Sequence, residues 1–329
     1  MIKFGVLGAG RIGKVHARTI AASSRATVAY LADAMPKAAA DLAAEVGAKV
    51  ASVEDIIKAK DVDAILIATP TGTHADLIEA ASNAGKAVLC EKPVSLSVER
   101  ILGCLKVVDK NKTSLMIGFN RRFDANFANL EQRIRKGDIG SVELVTIISR
   151  DPSPPPIDYV KISGGLFRDM MIHDFDMARF LTGEEFTLVQ ALGASLVDKA
   201  IGEAGDVDTA SVQMQTASGK ICVITNSRRA TYGYDQRMEV HGSRGMLRGG
   251  NVHNTTVELA NAQGFTGDPV LNFFTERYGQ AYASEVNSFI DGIAAGKSAR
   301  PNGIDGLQAQ KLADAATQSW KTGKPVKVQ

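Results

Sequence analysis

The chain has 329 residues, of which 45% are hydrophobic and 22% are charged, and its formal net charge is +2. This length is comfortable for two domains, and a nearly balanced charge excludes the strong basic excess that is typical of nucleic-acid-binding proteins. No signal peptide is visible, nor any apolar run of the roughly 18 residues that span a bilayer. The three cysteines, Cys90, Cys104 and Cys222, are scattered and lack metal-ligand spacing. We therefore expect a soluble, cytoplasmic protein with reduced cysteines and with no nucleic-acid or membrane partner.

The stretch "IKFGVLGAGRIGKVHARTIAA" predicts a strand, a tight turn and a helix. The apolar run Ile2–Leu7 leads into Gly8, Gly10 and Gly13, which have the spacing G-x-G-x-x-G. Gly8 permits the turn, Gly10 lets the backbone approach a pyrophosphate, and Gly13 lets the helix pack on the sheet, while the helix N-terminus attracts phosphate. A second strand, "ATVAYLAD", ends in Asp33, about 20 residues beyond the last glycine, where a ribose-binding acid is expected. These features predict a dinucleotide site; the alternative is a doubly wound fold that has lost its ligand.

The charge of Asp33 favours NAD over NADP as the cofactor. A carboxylate accepts hydrogen bonds from the ribose hydroxyls of NAD but repels the 2′-phosphate of NADP. No arginine follows within "DAMPKAA", although Lys37 is nearby. NAD is therefore the expected cofactor.

Strands and helices continue to alternate up to about residue 120. The segments "DAILIATP", "KAVLCEKP" and "TSLMIGFN" are apolar strands, and "THADLIEAASNAG" and "SVERILGCLKVVDKN" are helices between them. This alternation predicts a parallel sheet covered on both faces, with ligands beyond the carboxyl ends of the strands. That rule selects three turns: Gly8–Gly13, Thr69-Pro70 and Glu91-Lys92-Pro93. We therefore expect an α/β fold that begins with an NAD-binding Rossmann domain over residues 1–120.

The pattern changes after Asn120. A helix near Ala125–Lys136 precedes the strand "GSVELVTIISRD" and a proline-rich turn, "PSPPPIDY", which we expect to form a rigid loop over a cleft. Six further runs have strand character, namely Thr187–Leu196, Thr209–Thr216, Lys220–Ser227, Gln236–His241, Gly245–Arg248 and Thr255–Leu259. Two helices, roughly Tyr278–Ala295 and Asp305–Trp320, end the chain.

These elements predict that residues 121–329 form a substrate-binding and oligomerisation domain of the α+β class, with a large, mainly antiparallel sheet. The last helix of this domain could pack back on the first domain. An open sheet with helices on one face needs cover on its other face, which predicts association of subunits.

The stretch "FRDMMIHDFDMARF", Phe167–Phe180, places ionisable groups inside an apolar helical run. A helical period puts Asp169, His173 and Asp176 on one face, and burying such groups is costly unless they are paired. Three interpretations compete: a satisfied core histidine, a metal site, or an acid–base pair that faces a pocket. A zinc site needs a third protein ligand, and the other histidines show no spacing that would supply one, so we expect no metal. Asp174 points off this face and is expected to bond to backbone or to an arginine such as Arg179.

The order of these motifs resembles that of one known family. The glycine turn, Thr69-Pro70 with His74, Glu91-Lys92-Pro93 and Asp169-x-x-x-His173-Asp174 are similar to motifs of the glucose–fructose oxidoreductase/inositol dehydrogenase family of NAD(P)-dependent enzymes. The resemblance covers essentially the whole chain, and Glu-Lys-Pro joined with Asp-x-x-x-His is its most specific part. Three stretches, "GFNRRFD", "SGGLFRDMMIHDFDMARFL" and "RRATYGYDQRMEVHGSRG", look most like bacterial inositol 2-dehydrogenases. This implies oxidation of myo-inositol to 2-keto-myo-inositol (scyllo-inosose), inositol catabolism, and a homotetramer.

The resemblance also implies site residues. The catalytic positions are Lys92, Asp169 and His173. The cofactor positions are Gly8, Gly10, Arg11, Ile12, Gly13, Asp33, Thr69, Pro70, His74, Glu91 and Lys92. The substrate positions are Lys92, Arg122, Asp151, Asp169, His173, Asp176 and Tyr232. Apart from the resemblance, Tyr234 and Arg237 are further candidates, because Tyr and Arg side chains can hydrogen-bond the hydroxyls of a polyol. Where some inositol dehydrogenases have His-x-Asn, this chain has "SRDPSPPP", so Arg150 or Asp151 would have to serve instead.

The residue types suit the oxidation of an alcohol. His173 fits a base because its unperturbed pKa of about 6.5 lies near the operating pH. Asp169 can fix the tautomer of the imidazole and stabilise the imidazolium. The Lys92 ammonium can stabilise a developing alkoxide. The alternatives left open are a dehydrogenase of another inositol isomer or of an aldose, and a non-catalytic sensor that binds NAD without turnover.

Overall fold

The structure is a computed structural model of the chain and describes residues 1–328. The backbone divides into two compact units. Unit 1 comprises residues 1–123 and 280–310, and unit 2 comprises residues 124–279 and 311–329. The sequence-based division had placed all of residues 121–329 in the second domain.

Strands and helices alternate through most of the chain. The strands are β1 Ile2–Leu7, β2 Ala26–Ala32, β3 Lys49–Val50, β4 Ala64–Ile67, β5 Ala87–Cys90, β6 Leu115–Ile117, β7 Val142–Arg150, β8 Phe186–Ala194, β9 Thr209–Thr216, β10 Ile221–Ser227, β11 Asp235–Gly242, β12 Gly245–Gly249, β13 Glu258–Asn261, β14 Gly264–Gly267 and β15 Val326–Lys327. The helices are α1 Arg11–Ala21, α2 Pro36–Val46, α3 Val53–Lys58, α4 His74–Asn83, α5 Val98–Asn111, α6 Ala125–Arg135, α7 Ile157–Ser163, α8 Leu166–Asp169, α9 Ile172–Thr182, α10 Lys199–Glu203, α11 Phe274–Arg277, α12 Gly279–Ala294 and α13 Gly303–Thr322. Two 3₁₀ turns lie at Thr71–Thr73 and Asn120–Phe123.

Unit 1 is built on a six-stranded sheet with the order β3-β2-β1-β4-β5-β6. Every pairing in this sheet is parallel. The chain order reverses between β1 and β4, and ligands of open α/β sheets bind at such a reversal, beyond the carboxyl ends of the strands. The glycine turn follows β1 and Thr69 follows β4, so both predicted cofactor segments lie at this edge of the sheet.

Residues from the end of the chain complete the core of unit 1. Val286, Phe289 and Ile290 of α12 belong to the same buried cluster as Phe4 and Val6 of β1, and the rings of Phe4 and Phe289 lie 6.0 Å apart. The apolar face of α12 therefore has its cover in the first sheet. This packing explains why residues 280–310 belong to unit 1.

Unit 2 is built on a seven-stranded sheet with the order β12-β11-β7-β10-β9-β8-β15. Among the residues of this sheet that the structure describes, only β7 and β10 pair in parallel, and the remaining neighbours are antiparallel. Helix α9 packs against β7, and α6 packs against both α9 and β12. The predicted fold class, a Rossmann sheet plus a large, mainly antiparallel sheet, is confirmed.

The predicted helix over Phe167–Phe180 is wrong in one respect, because the structure divides it into α8 and α9. Met170 and Met171 lie between the two helices, and the Met171 N–H donates to Leu166 five residues earlier. The start of α8 is fixed from outside the helix, since the Leu166 N–H donates to both oxygens of Asp206 at 3.0 and 3.1 Å. A carboxylate from a distant loop therefore sets where this segment begins.

Strand β14 was not predicted. It pairs with β13 in a two-stranded sheet, and all residues of both strands are exposed. Without buried residues these strands have no apolar alternation to detect.

No helix within residues 1–328 is both long enough and apolar enough to cross a membrane.

Candidate active site

The glycine turn of unit 1 is as tight as its spacing predicts. Gly8 has a φ of +108°, which favours glycine. A Cβ on Gly13 would lie 2.8 Å from the carbonyl carbon of Gly8 and closer still to its oxygen. A Cβ on Gly10 would meet no protein atom within 4 Å. Gly8 and Gly13 are thus required by the protein itself, whereas Gly10, the N-cap of α1, borders open space.

Asp33 joins the glycine turn to the segment that follows β2. Its Oδ2 accepts a 2.6 Å hydrogen bond from the Ala9 N–H, and its Oδ1 accepts one of 2.7 Å from the Met35 N–H. A carboxylate offers about four acceptor positions, so both oxygens can still accept ribose hydroxyls. Lys37 forms an ion pair with Asp41 at 2.9 Å. Its ammonium group therefore already has an acidic partner within the protein and is not reserved for a 2′-phosphate.

Buried polar side chains connect the turns after β4 and β5. His74 is 2% exposed, and its ring nitrogens lie 2.8 Å from the Pro93 carbonyl oxygen and 2.7 Å from that of Thr69. Glu91 is also buried, and its Oε1 shares a 2.7 Å hydrogen bond with His16 Nε2 of α1. His74 and Glu91 therefore brace the loops that carry Thr69 and Lys92, while Lys92 itself is half-buried.

These features of unit 1 fit NAD. The space beside Gly10 is one that a Cβ would fill, and it lies at the N-terminus of α1, whose first N–H groups have no partner within the helix. An acid stands at the end of β2, where the ribose hydroxyls of the cofactor are recognised. The glycine turn, α1 and Asp33 would hold the cofactor, whose oxidised nicotinamide supplies a hydride acceptor when it is bound.

Asp169 is held firmly within unit 2. Its Oδ1 accepts a 2.8 Å hydrogen bond from the Tyr159 hydroxyl, and its Oδ2 accepts one of 3.2 Å from Nη2 of Arg228. The Asp169 side chain is 13% exposed and that of Arg228 is 2% exposed. The carboxylate therefore has one orientation, at the end of α8.

His173 lies in the first turn of α9, with a half-buried side chain. The two other acids of this segment are fully buried. Asp174 accepts a 2.9 Å hydrogen bond from the Asn226 amide, and Asp176 lies 3.7 Å from Nη1 of Arg179. Arg179, the arginine that the sequence suggested for Asp174, also donates from Nε and Nη2 to Glu185 at 2.7 and 2.6 Å.

The remaining predicted substrate residues lie in two places. In unit 1, Arg122 donates from Nη2 to Asp305 at 2.9 Å. In unit 2, the Asp151 N–H donates to the Ser227 carbonyl oxygen at 3.0 Å. Tyr232, which is 50% exposed, donates from its hydroxyl to Asp235 at 2.7 Å.

Asp235 is the centre of a polar network in unit 2. Burial by itself would raise the pKa of Asp235, but hydrogen bonds from Arg237, Tyr232 and Asn251 outweigh burial and lower this pKa to about 2. Arg150 donates to the Tyr232 hydroxyl at 2.8 Å and to Asp235 at 3.2 Å. Arg150 and Arg237 thus form ion pairs with the ionised Asp235. Tyr234 packs edge-on against the Tyr278 ring.

Sequence reasoning missed the partners of the predicted residues. Arg228, Tyr159 and Asp235 were not among the predicted site residues, and His16 was weighed only as a possible metal ligand. One signal was available for Arg228, because this residue directly follows β10. Ser227, the last residue of β10, pairs with Arg150 at the end of the parallel strand β7.

Within residues 1–328, no group of three or more His, Cys, Asp or Glu is placed to hold a metal ion.

The geometry of each unit corresponds to a known class of domain. Residues 2–119 match the oxidoreductase family with an NAD-binding Rossmann fold, and residues 127–248 match the GFO/IDH/MocA C-terminal domain. These matches define an oxidoreductase with an NAD-binding domain, and they confirm NAD as the cofactor.

Individual proteins extend these matches over the whole chain. The chain is 55% identical over 318 residues to the inositol 2-dehydrogenase of Rhizobium meliloti (strain 1021), covering 97% of this chain and 96% of that protein. The structure of a myo-inositol dehydrogenase from Corynebacterium glutamicum superposes with a TM-score of 0.96 at 42% identity, covering 100% of this chain and 99% of that one. A scyllo-inositol dehydrogenase from Lactobacillus casei with bound NAD(H) and scyllo-inositol superposes with a TM-score of 0.93 at 32% identity, with coverages of 100% and 99%. The chain belongs to the GFO/IDH/MocA family, which confirms the resemblance found in the sequence.

Proposed function

We propose that the chain oxidises myo-inositol to 2-keto-myo-inositol (scyllo-inosose), with NAD as the hydride acceptor and His173 as the base. The observation that carries the substrate is the 55% identity to the Rhizobium meliloti inositol 2-dehydrogenase over 97% of this chain. The fixed Asp169 carboxylate supports the mechanism, because a base that acts as a pair with an acid needs that acid in one orientation.

The proposed roles follow from the chemistry of the side chains. Oxidation of a secondary alcohol removes a proton from the hydroxyl and a hydride from the carbon that bears it. A ring nitrogen of His173 takes the proton, and the Asp169 carboxylate stabilises the imidazolium that forms. The Lys92 ammonium stabilises negative charge on the substrate oxygen as the O–H bond breaks. The hydride leaves for NAD, so the carbon becomes a ketone and NADH is released.

The other proposed contacts are polar and suit an uncharged polyol. Arg122, Asp151, Asp176 and Tyr232 are the proposed substrate residues in addition to the catalytic three. Each has a side chain that donates or accepts directional hydrogen bonds. Gly8, Gly10, Arg11, Ile12, Gly13, Asp33, Thr69, Pro70, His74 and Glu91 are the proposed cofactor residues; among them, His74 and Glu91 would act by bracing the loops that carry Thr69 and Lys92.

The test is NADH formation from NAD with myo-inositol, scyllo-inositol, D-chiro-inositol, glucose and xylose. We expect a clear preference for myo-inositol. His173→Ala should lower kcat by at least about 100-fold and leave the Kd for NAD unchanged. His241→Ala is the matched control, because His241 is an exposed histidine of the same unit that pairs with Glu143 at 3.7 Å. Turnover by His173→Ala at the rate of the control would refute the role of His173.

The second candidate substrate is scyllo-inositol, because the Lactobacillus casei structure holds it. Recognition of the two inositol isomers would differ at the end of β7. Arg150 there donates hydrogen bonds to Tyr232 and Asp235, where some inositol dehydrogenases have His-x-Asn. A preference for scyllo-inositol would keep the mechanism and replace the substrate, and NAD binding without any turnover would support a sensor instead.

We further propose that the protein is a cytoplasmic homotetramer of inositol catabolism. All three cysteines are buried and unpaired, as suits a reducing compartment. On the seven-stranded sheet a cross-strand row joins Ile221 to Leu144, Leu144 to His241, and His241 to Met246. Ile221, Leu144 and Met246 are 43%, 38% and 45% exposed, and such an apolar row on a wide sheet is a typical contact between subunits.

The oligomeric state can be measured by light scattering after size-exclusion chromatography. We expect a mass of four chains for the wild type and a smaller assembly for Ile221→Asp. Leu259→Asp is the charge-matched control, because it introduces the same charge at a 60% exposed apolar residue of the separate two-stranded sheet. A monomeric wild type would refute this part of the proposal.

A further inference from the structure

The two groups that hold Asp169 have no role in the proposed mechanism. Tyr159 reaches the carboxylate from α7, the helix that follows the proline-rich loop, and Arg228 reaches it from the end of β10. One is a neutral donor that is 44% exposed, and the other is a cation that is 2% exposed. Asp169 thus has an exposed partner on one oxygen and a buried partner on the other.

The burial of Arg228 is costly and therefore informative. A guanidinium removed from water is tolerated only when it is paired, and its ion-pair partner is Asp169 at 3.2 Å. Within residues 1–328, Nε of Arg228 has no hydrogen-bond partner. The position of this side chain therefore leaves one of its own donors unsatisfied. Its backbone is fixed, because its N–H donates to the Asp208 carbonyl oxygen at 2.8 Å.

Other charged groups surround Asp169 in unit 2 and do not replace Arg228. Arg168, its neighbour, pairs with Asp314 at 2.7 Å. Asp206 caps the start of α8, and burial raises the pKa of Asp206, an effect to which the charge of Asp169 adds. Gly165 allows this cap, because a Cβ there would lie 2.7 Å from Oδ1 of Asp206. Two acids therefore lie close together, and Arg228 is the cation that acts on both.

From this arrangement we infer that Arg228 and Tyr159 are positioning residues that hold the Asp169 carboxylate for His173, and that the charge of Arg228 keeps His173 available as a neutral base. The inference rests on the proposed roles of Asp169 and His173. An unneutralised carboxylate beside an imidazole favours the imidazolium, which cannot accept a proton. A permanent cation bound to the same carboxylate offsets this effect while the carboxylate still orients the ring.

The experiment compares kcat/KM for myo-inositol as a function of pH in the wild type and four variants. Arg228→Gln removes the cation, so the acidic limb of the profile should move to higher pH by about one unit. Arg228→Lys keeps the charge but loses the guanidinium geometry, so the limb should stay in place while kcat falls about 10- to 100-fold. Tyr159→Phe should lower kcat about 3- to 10-fold with an unchanged Kd for NAD.

Arg229→Gln is the matched control, because it removes one positive charge from the next position, where the side chain is exposed. Its profile should match that of the wild type. Loss of a buried side chain threatens folding, so thermal unfolding is measured for each variant, and Arg228→Lys and Tyr159→Phe carry the test if Arg228→Gln does not fold. An unmoved limb in Arg228→Gln, an equal shift in Arg229→Gln, or wild-type kcat in both Arg228→Lys and Tyr159→Phe would overturn the inference.

A second readout separates this inference from the proposed function. The chain has five histidines, so the imidazole of His173 can be followed by NMR in isotope-labelled protein and assigned with His173→Asn. Its titration midpoint should rise in Arg228→Gln and stay unchanged in Arg229→Gln, whether or not inositol is turned over. Absence of turnover with this shift present would reject the proposed function alone, and turnover without the shift would reject the role of Arg228 alone.

Discussion

The open space beside Gly10 leads to a prediction that separates cofactor binding from folding. Gly10 has a φ of −68°, which any residue adopts, and its Cβ would meet no protein atom within 4 Å. Gly10→Ala should therefore change the free energy of unfolding by no more than about 0.5 kcal/mol. The same methyl group would enter the space where the pyrophosphate approaches the backbone. Overpacking by one methyl costs about 1–3 kcal/mol, so NAD should bind about 5- to 150-fold more weakly.

Gly13 provides the opposite case in the same turn. Its Cβ would lie 2.8 Å from the Gly8 carbonyl carbon and closer to the oxygen, and these backbone atoms cannot rotate away. The turn and α1 would have to separate. Gly13→Ala should therefore destabilise the protein by at least about 1–3 kcal/mol, whether or not NAD is present.

Calorimetric titration with NAD and urea unfolding without ligand measure the two effects independently. The reasoning requires Gly10→Ala to lose affinity and keep stability, and Gly13→Ala to lose stability. A Gly10→Ala protein that binds NAD within twofold of the wild type would show that the open space is not where the cofactor lies. Equal destabilisation by both substitutions would show that the turn is uniformly tight.

Three further predictions concern single acids. Asp33→Ala leaves two backbone N–H groups without the acceptor that binds them at 2.6 and 2.7 Å. The substitution should lower the free energy of unfolding in urea by about 1–3 kcal/mol. It should also bring the Kd for NADP closer to the Kd for NAD. The lowered pKa of Asp235, about 2, should contribute about 2 kcal/mol of stability above pH 4 that is lost as the pH falls toward 2; Asp235→Asn should be less stable than the wild type at pH 7, by an amount that shrinks at pH 2.5. Burial, assisted by the charge of Glu91, raises the pKa of the fully buried Glu285 well above its ordinary value. The contribution of Glu285 to the free energy of unfolding should therefore be complete below about pH 4.3 and decline as the pH rises. Glu285→Gln should therefore be more stable than the wild type at pH 8 and equal to it at pH 4; equal stability at both pH values would contradict this.

The fold could be predicted wherever the signal is local. Fully apolar strands and a glycine turn identify a parallel sheet with little information from elsewhere, and the strands predicted over Thr209–Thr216 and Lys220–Ser227 coincide with β9 and β10 within one residue. The break between α8 and α9 could not be predicted in this way. The apolar pattern of the segment continues through Met170 and Met171, and the carboxylate that fixes the start of α8 lies 40 residues along the chain.

The candidate site shows the same division between local and distant information. The motifs contain the residues that the proposal assigns to substrate and cofactor, because most of these residues lie close together in sequence, either in turns that follow strands or in the neighbouring helices α8 and α9. Their supporting partners lie far away in sequence: Arg228 is 59 residues from Asp169, and Asp305 is 183 residues from Arg122. Only the folded chain brings these charges together, so a single sequence gives the acids and bases of the site without the groups that tune them.

The hydrogen bond between His16 and Glu91 joins two motifs that the sequence presents separately. His16 lies one turn beyond Gly13 on α1, and Glu91 directly precedes Lys92 at the end of β5. Both side chains are buried, so the helix that begins at the glycine turn cannot move without moving the end of the strand that carries Lys92. A Cβ on Gly118 would lie 3.0 Å from the Glu91 carboxylate, so the glycine at this position leaves the space that the carboxylate occupies. The cofactor turn and the position of Lys92 are therefore parts of one rigid arrangement within unit 1, which explains why Glu91, although it faces the interior, belongs to the same motif as the lysine.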